Sequence, residues 1–154
     1  MELSELEFDG ASVKEVSRYR IPGPPPDDEY CMINCTPIEG MPFHLLKWTN
    51  VTALMKFDPT GENETEVFVT TDYISGYNDM RGGSQVIRHK DGYLTLIHET
   101  DLYNSEQGRK NATYRHRFVL WDKDFKNQRF SKLFSFMNMK IEFCCGLAEY
   151  QDSF

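Results

Sequence analysis

The sequence predicts an all-β fold, and three observations carry that prediction. From Met41 onward, short runs rich in Val, Ile, Leu, Phe, Tyr and Thr alternate apolar with polar positions, the two-residue period of a half-buried strand. Turn-forming clusters separate the runs: Asp58-Pro59-Thr60-Gly61, Gly82-Gly83, Asp91-Gly92, the loop NSEQGRKN and Asp122-Lys123-Asp124. No segment after residue 30 keeps a 3.6-residue apolar period with caps at both ends. Short strands with regular turns fit a sandwich, a barrel or a propeller, and pattern alone does not choose among them.

Taken in order, residues 1–29 are acidic, contain IPGPPPDDEY and keep neither period; three consecutive prolines favour an extended polyproline segment. We read 1–29 as a tail or linker and 30–154 as the β-domain. FHLLKWT (43–49) and TALMKFD (52–58) lead into the first Pro-Gly turn, and TEVFVTT (65–71) follows it. SQVIRH (84–89) and YLTLIHET (93–100) flank Asp91-Gly92, a tight-turn signal because glycine accepts a positive φ. YRHRFVLWD (114–122), RFSKLFSF (129–136) and KIEFCCGLAEY (140–150) complete the series. The chain stops soon after a strand and a Gln151-Asp152-Ser153 turn, so we expect an incomplete array whose open edge needs self-association or a partner chain to cover it.

At 154 residues, 40% hydrophobic and 14% aromatic, the chain has the material for one packed core. A net charge of −7 disfavours nucleic acid as a partner, since phosphate binding needs clustered Lys and Arg. The nearest basic cluster, Arg115-His116-Arg117, alternates sides of a strand and reads as exposed charges on one face. No run reaches the length of about 20 apolar residues that a membrane helix needs, and acids stand where a secretory signal carries basic residues, so a soluble chain is expected. The Asn-x-Thr sequons at Asn34, Asn50, Asn63 and Asn111 are read as chance occurrences. Cys31/Cys35 and Cys144/Cys145 form two close pairs, the second awkward for tetrahedral zinc, and we read them as structural thiols with no metal. Nucleophile elbow, P-loop, dinucleotide and His-Glu-x-x-His motifs are missing, and no cofactor is expected.

Counting by twos from Tyr93 puts His98 on the side of Leu94 and Leu96. A histidine there is either a satisfied core residue or a polar group at the mouth of a pocket. Glu142, between Ile141 and Phe143, is an acid in an apolar run, either turned inward for function or at an edge. Trp48 and Trp121 are sugar-stacking platforms or, more commonly in a β-domain, core.

GGSQVIRHKDGYLTLIHE, followed by YRHRFVLWD and IEFCCGLAEYQDSF, resembles the five-bladed β-propeller of glycosidase family 130, the β-mannoside phosphorylases and hydrolases, and related propeller domains found with glycosyltransferases. PIEGMPFHLLKWTNVTALMKFDPTG resembles an earlier blade of those domains. The resemblance covers about residues 30–154 and implies a partial propeller of two to three blades, with a β-sandwich as the alternative. It implies that His98 contacts phosphate or sugar hydroxyls, that Tyr114 joins it, and that Arg81 serves as an oxyanion ligand. With Glu142 these make the expected ligand-binding set.

The family's general-acid aspartate matches no acid here, so no catalytic residue is assigned, and Asn34-Cys35 replaces the Asn-Trp pair common in the related propellers. The expected function is a carbohydrate-active or carbohydrate-binding domain, glycoside phosphorylase- or hydrolase-like if active, taking an oligosaccharide such as a mannoside with inorganic phosphate as co-substrate. The alternative is a non-catalytic glycan-binding or protein-interaction module. A β-sandwich unrelated to sugar would keep His98 and Tyr114 far apart.

Overall fold

A computed structural model describes residues 2–20, 35–48, 52–60, 66–71 and 79–151, and among them every helix or strand element is a β-strand. None of the described residues belongs to a helix long and apolar enough to cross a membrane.

The N-terminal stretch, expected as a tail, holds an antiparallel hairpin of β1 (Glu2–Phe8) and β2 (Val13–Arg20). Its turn is built by Asp9, whose carboxylate accepts the Ala11 amide at 2.9 Å and the Ser12 amide at 2.7 Å, while Gly10 takes φ 92°. Those contacts hold the Asp9 carboxyl down at about 2. Tyr19 meets the body of the protein edge-on at Phe43, with ring centroids 5.3 Å apart. The polyproline stretch, Cys31 and three of the four sequons (Asn34, Asn50, Asn63) lie outside the described residues.

A four-stranded antiparallel sheet follows the order β3 (Cys35–Pro37), β4 (His44–Lys47), β5 (Thr52–Lys56), β6 (Glu66–Thr71). The second sheet has five strands: β7 (Asp79–Gly82), β8 (Ile87–His89), β9 (Gly92–Asn104), β10 (Lys110–Asp122) and β11 (Gln128–Phe130). Its centre is the long β9–β10 hairpin, paired from Gly92↔Asp122 to Asn104↔Lys110. β11 lies outside β10, while β8 and β7 share the other edge of β9 in succession. The loop expected at NSEQGRKN therefore tightens to Ser105–Arg109, closed by the Ser105 amide on the Arg109 carbonyl at 2.8 Å.

The turn before β9 departs from expectation. Lys90, at φ 52°, carries the positive φ, and Gly92 already belongs to the ladder. Gly92 is required there for a different reason: a Cβ on it would stand 2.0 Å from the Trp121 carbonyl oxygen.

The two larger sheets pack against each other. Ile38, Leu46 and Trp48 meet Met80, Val86, Ile97, Val119, Trp121 and Phe125 in one buried cluster. Trp48 and Trp121, both fully buried with rings 5.9 Å apart, are core and not sugar platforms. Val86 ties the sheets at their margins by donating to the Pro37 carbonyl at 2.9 Å and accepting the Glu39 amide at 2.8 Å. Among the described residues the strands form three sheets and none closes into a ring.

The five-stranded sheet is covered on its other face too. Ile87, Leu94 and Leu147 cluster there with Phe118 and Leu120, so the final segment crosses the sheet. Leu94 through Thr100 are consequently buried on both faces, where a half-exposed strand was expected. Residues 140–149, expected as most of a strand, form none. At Leu147 a side chain takes the backbone groups instead: Gln85 donates to the Leu147 carbonyl at 2.6 Å and accepts the Leu147 amide at 3.2 Å.

Candidate functional site

Directly opposed residues in an antiparallel ladder share a face. The register pairs Arg81 with His98 and His98 with His116, and a bridge pairs His116 with Phe134. Arg81, His98, His116 and Phe134 therefore form one transverse row across β7, β9, β10 and the segment after β11. His98 is 4% exposed and His116 1% exposed, while Arg81 and Tyr114 are half-buried.

Tyr114 pairs with Thr100, one step along the same face from His98. Its ring stacks on the His98 imidazole with centroids 4.8 Å apart and planes 20° from parallel. The separation demanded by an unrelated sandwich is not what this hairpin produces. Phe143 closes over His98 edge-on at 5.2 Å, and Phe136 covers His116 at 4.9 Å. The two imidazoles lie 6.5 Å apart.

Glu142 is turned inward and is 6% exposed. Its carboxylate accepts three amides in the turn it caps: Phe136 at 2.6 Å, Met139 at 2.7 Å and Met137 at 2.9 Å. Burial works to raise its pKa, but those amides, with the His116 charge, outweigh it and keep the carboxyl below its ordinary value. An ionised, fully engaged carboxylate anchors a loop and is unsuited to donating a proton to a leaving group. For His116, desolvation lowers the pKa below that of an ordinary imidazole, and the Glu142 charge and backbone do not offset it.

The Arg115-His116-Arg117 cluster is divided by the sheet. Arg115 donates to Asp101 at 2.7 Å, and Arg117 pairs with buried Glu99 and donates to the Ser131 carbonyl at 2.8 Å. Alternation with exposed charges on one face was expected; Arg115 and Arg117 do share a face, but Arg117 is a partly buried ion-pair partner, and His116 on the other face is buried. Sequence reasoning passed over His116 because its arginine neighbours mimic a solvated run. Its parity with His98 emerges only from the β9–β10 register.

A second feature was also missed. A cavity of about 540 Å³ lies between Ile38, Glu39, Gln85, Ile87, Arg88 and Leu147, away from the histidine row. The Arg88 amide donates to Glu39 at 2.7 Å on its wall. Cys144 Sγ donates to the Gly146 carbonyl at 3.1 Å, and Cys144 and Cys145 are free thiols. No protein-family model matches the chain, and no curated protein or solved structure matches it.

Proposed function

We propose that this chain is a non-catalytic carbohydrate-binding domain, built of partial five-bladed propeller blades of the family-130 type, that engages an oligosaccharide, with inorganic phosphate as an accessory ligand. The observation that carries this proposal is the convergence of Arg81, His98 and Tyr114 on one sheet face. Half-buried Arg81 and Tyr114 offer a guanidinium for an oxyanion and a phenol for sugar hydroxyls. His98 behind them holds the Tyr114 ring by stacking. Binding is favoured over turnover because Glu142, the acid whose charge His116 feels, is engaged by three amides.

Calorimetric titration with mannose-containing oligosaccharides, with and without phosphate, tests this. Saturable binding that weakens in His98→Ala and Tyr114→Ala, and a phosphate effect lost in Arg81→Ala, is expected. A folded wild-type protein that binds no sugar would overturn the proposal. A protein-interaction module is the second reading, favoured by exposed Met137, Met139, Ile141 and Phe143 along one short stretch.

A further inference from the structure

We propose that residues 131–143 form an acid-released strap over the histidine row, unseated from β10 when His116 takes up a proton. The strap is fastened by few bonds. Ser131 holds its start, its amide donating to the Phe118 carbonyl at 2.9 Å, its hydroxyl accepting the Phe118 amide at 3.0 Å and its carbonyl accepting from Arg117 at 2.8 Å; beyond it Phe134 and His116 exchange amide bonds at 3.0 and 2.8 Å, and the Tyr114 amide donates to the Lys140 carbonyl at 2.8 Å. Between Phe134 and Lys140 it arches away from β10 into the turn that Glu142 caps.

The arch's apolar side chains are only partly covered: Met137, Met139 and Ile141 are more than half exposed, and so are Phe136 and Phe143, which lay part of their rings on His116 and His98. They bury little surface when the strap is seated, so its docking free energy is small and open to a local perturbation.

His116 supplies that perturbation. Neither ring nitrogen makes a well-aligned hydrogen bond among the described residues, the Glu142 backbone lends too little support to offset burial, and the ring is enclosed by Phe134, Phe136 and His98. An imidazolium there exchanges water for aromatic rings, which offset only part of the lost hydration. The surrounding charges are unequal. Arg81 extends the row beyond His98, and its guanidinium opposes a further positive charge. Glu142, from the strap, favours one, but its oxygens already accept three amides. Lys140 Nζ stands over the Tyr103 ring at 5.9 Å, Tyr114 flanks His116 on its own strand, and Arg115 and Arg117 occupy the opposite face with Asp101 and Glu99.

Opening hydrates His116 and restores its ordinary pKa of 6.5. The open form therefore binds the proton more tightly than the closed one. The closed-to-open ratio falls by up to about tenfold per pH unit as pH drops below that value, then levels once the closed form also titrates. Glu142 stays ionised through this window, because its carboxyl titrates below 4.5. The strap is thus released while its own anchor is intact. The proposal does not depend on what the exposed face binds.

Hydrogen exchange on the full chain at pH 7.5, 6.5 and 5.5, corrected for intrinsic rates, tests it without any ligand. Protection of the amides that fasten the strap to β10, those of Ser131, Phe134, His116 and Tyr114, should fall by up to about tenfold per pH unit below 6.5 while residues 94–100 keep theirs. His116→Phe should remove the pH dependence. Wild-type protection that stays flat, or a His116→Phe protein that keeps the full dependence, overturns the strap. Should that variant not fold, imidazole NMR of the wild type decides: His116 protonation must track the loss of strap protection, and protonation under a still-protected strap contradicts release.

Discussion

Glu142 shows how an apolar sequence context misleads about an acid. Flanked by Ile141 and Phe143 it invites a functional role, but its neighbours are exposed and its carboxylate is turned in upon three amides. What sequence could not supply was the turn at 136–139 that creates those donors. Glu142→Gln keeps the size and loses the charge, so at pH 7 it should lower the thermal midpoint and loosen residues 136–139. Because the folded-state pKa is lowered, this contribution is present above 4.5 and disappears as pH falls through the lower folded value. Melting curves of both proteins should therefore converge in acid, and a gap that persists unchanged at low pH would argue against charge as the cause. His98 stands at the opposite extreme: its parity with Leu94 and Leu96 was legible, and its partner Tyr114 came from the resemblance. Their stacking needed the register of two strands.

Among the elements, β9 and β10 were the most legible, because alternating apolar residues and flanking turn chemistry agree. The hairpin β1–β2 was not, although Asp9-Gly10 is turn chemistry. A bulge between Glu5 and Leu6 shifts the pairing by one residue and breaks the period that would have revealed it. The stretch 140–149 failed in the other direction: its alternation is strand-like, yet Glu142 turns in to cap the preceding turn and Leu147 bonds the Gln85 side chain in place of a ladder partner. Gly92 gives an element-level test. With the Trp121 carbonyl 2.0 Å from an added Cβ, and backbone on both sides unable to swing away, Gly92→Ala should cost about 3 kcal/mol or more in denaturant unfolding. A loss below about 1 kcal/mol would mean the ladder end yields easily.

At the scale of the molecule, the larger core and the candidate site use opposite faces of the five-stranded sheet. One face carries the core shared with the four-stranded sheet, where Trp48 and Trp121 bridge the layers. Trp48→Ala should destabilise by about 3–5 kcal/mol, and chemical denaturation should show one cooperative transition if the two sheets fold as a unit. The other face carries the histidine row and its covering strap. All-β class was readable from periodicity, but which sheets pack was not, because the contacts join residues far apart in sequence.

The chain's four histidines make the central claim directly measurable, since His98 and His116 lie on the proposed face, His89 lies near the 540 Å³ cavity and His44 starts β4. Imidazole NMR during titration with a mannose-containing oligosaccharide and phosphate should move the His98 signal saturably, with His116 following and His44 and His89 unmoved. Saturable shifts confined to His89, or none at any histidine while the protein stays folded, would contradict carbohydrate recognition by Arg81, His98 and Tyr114.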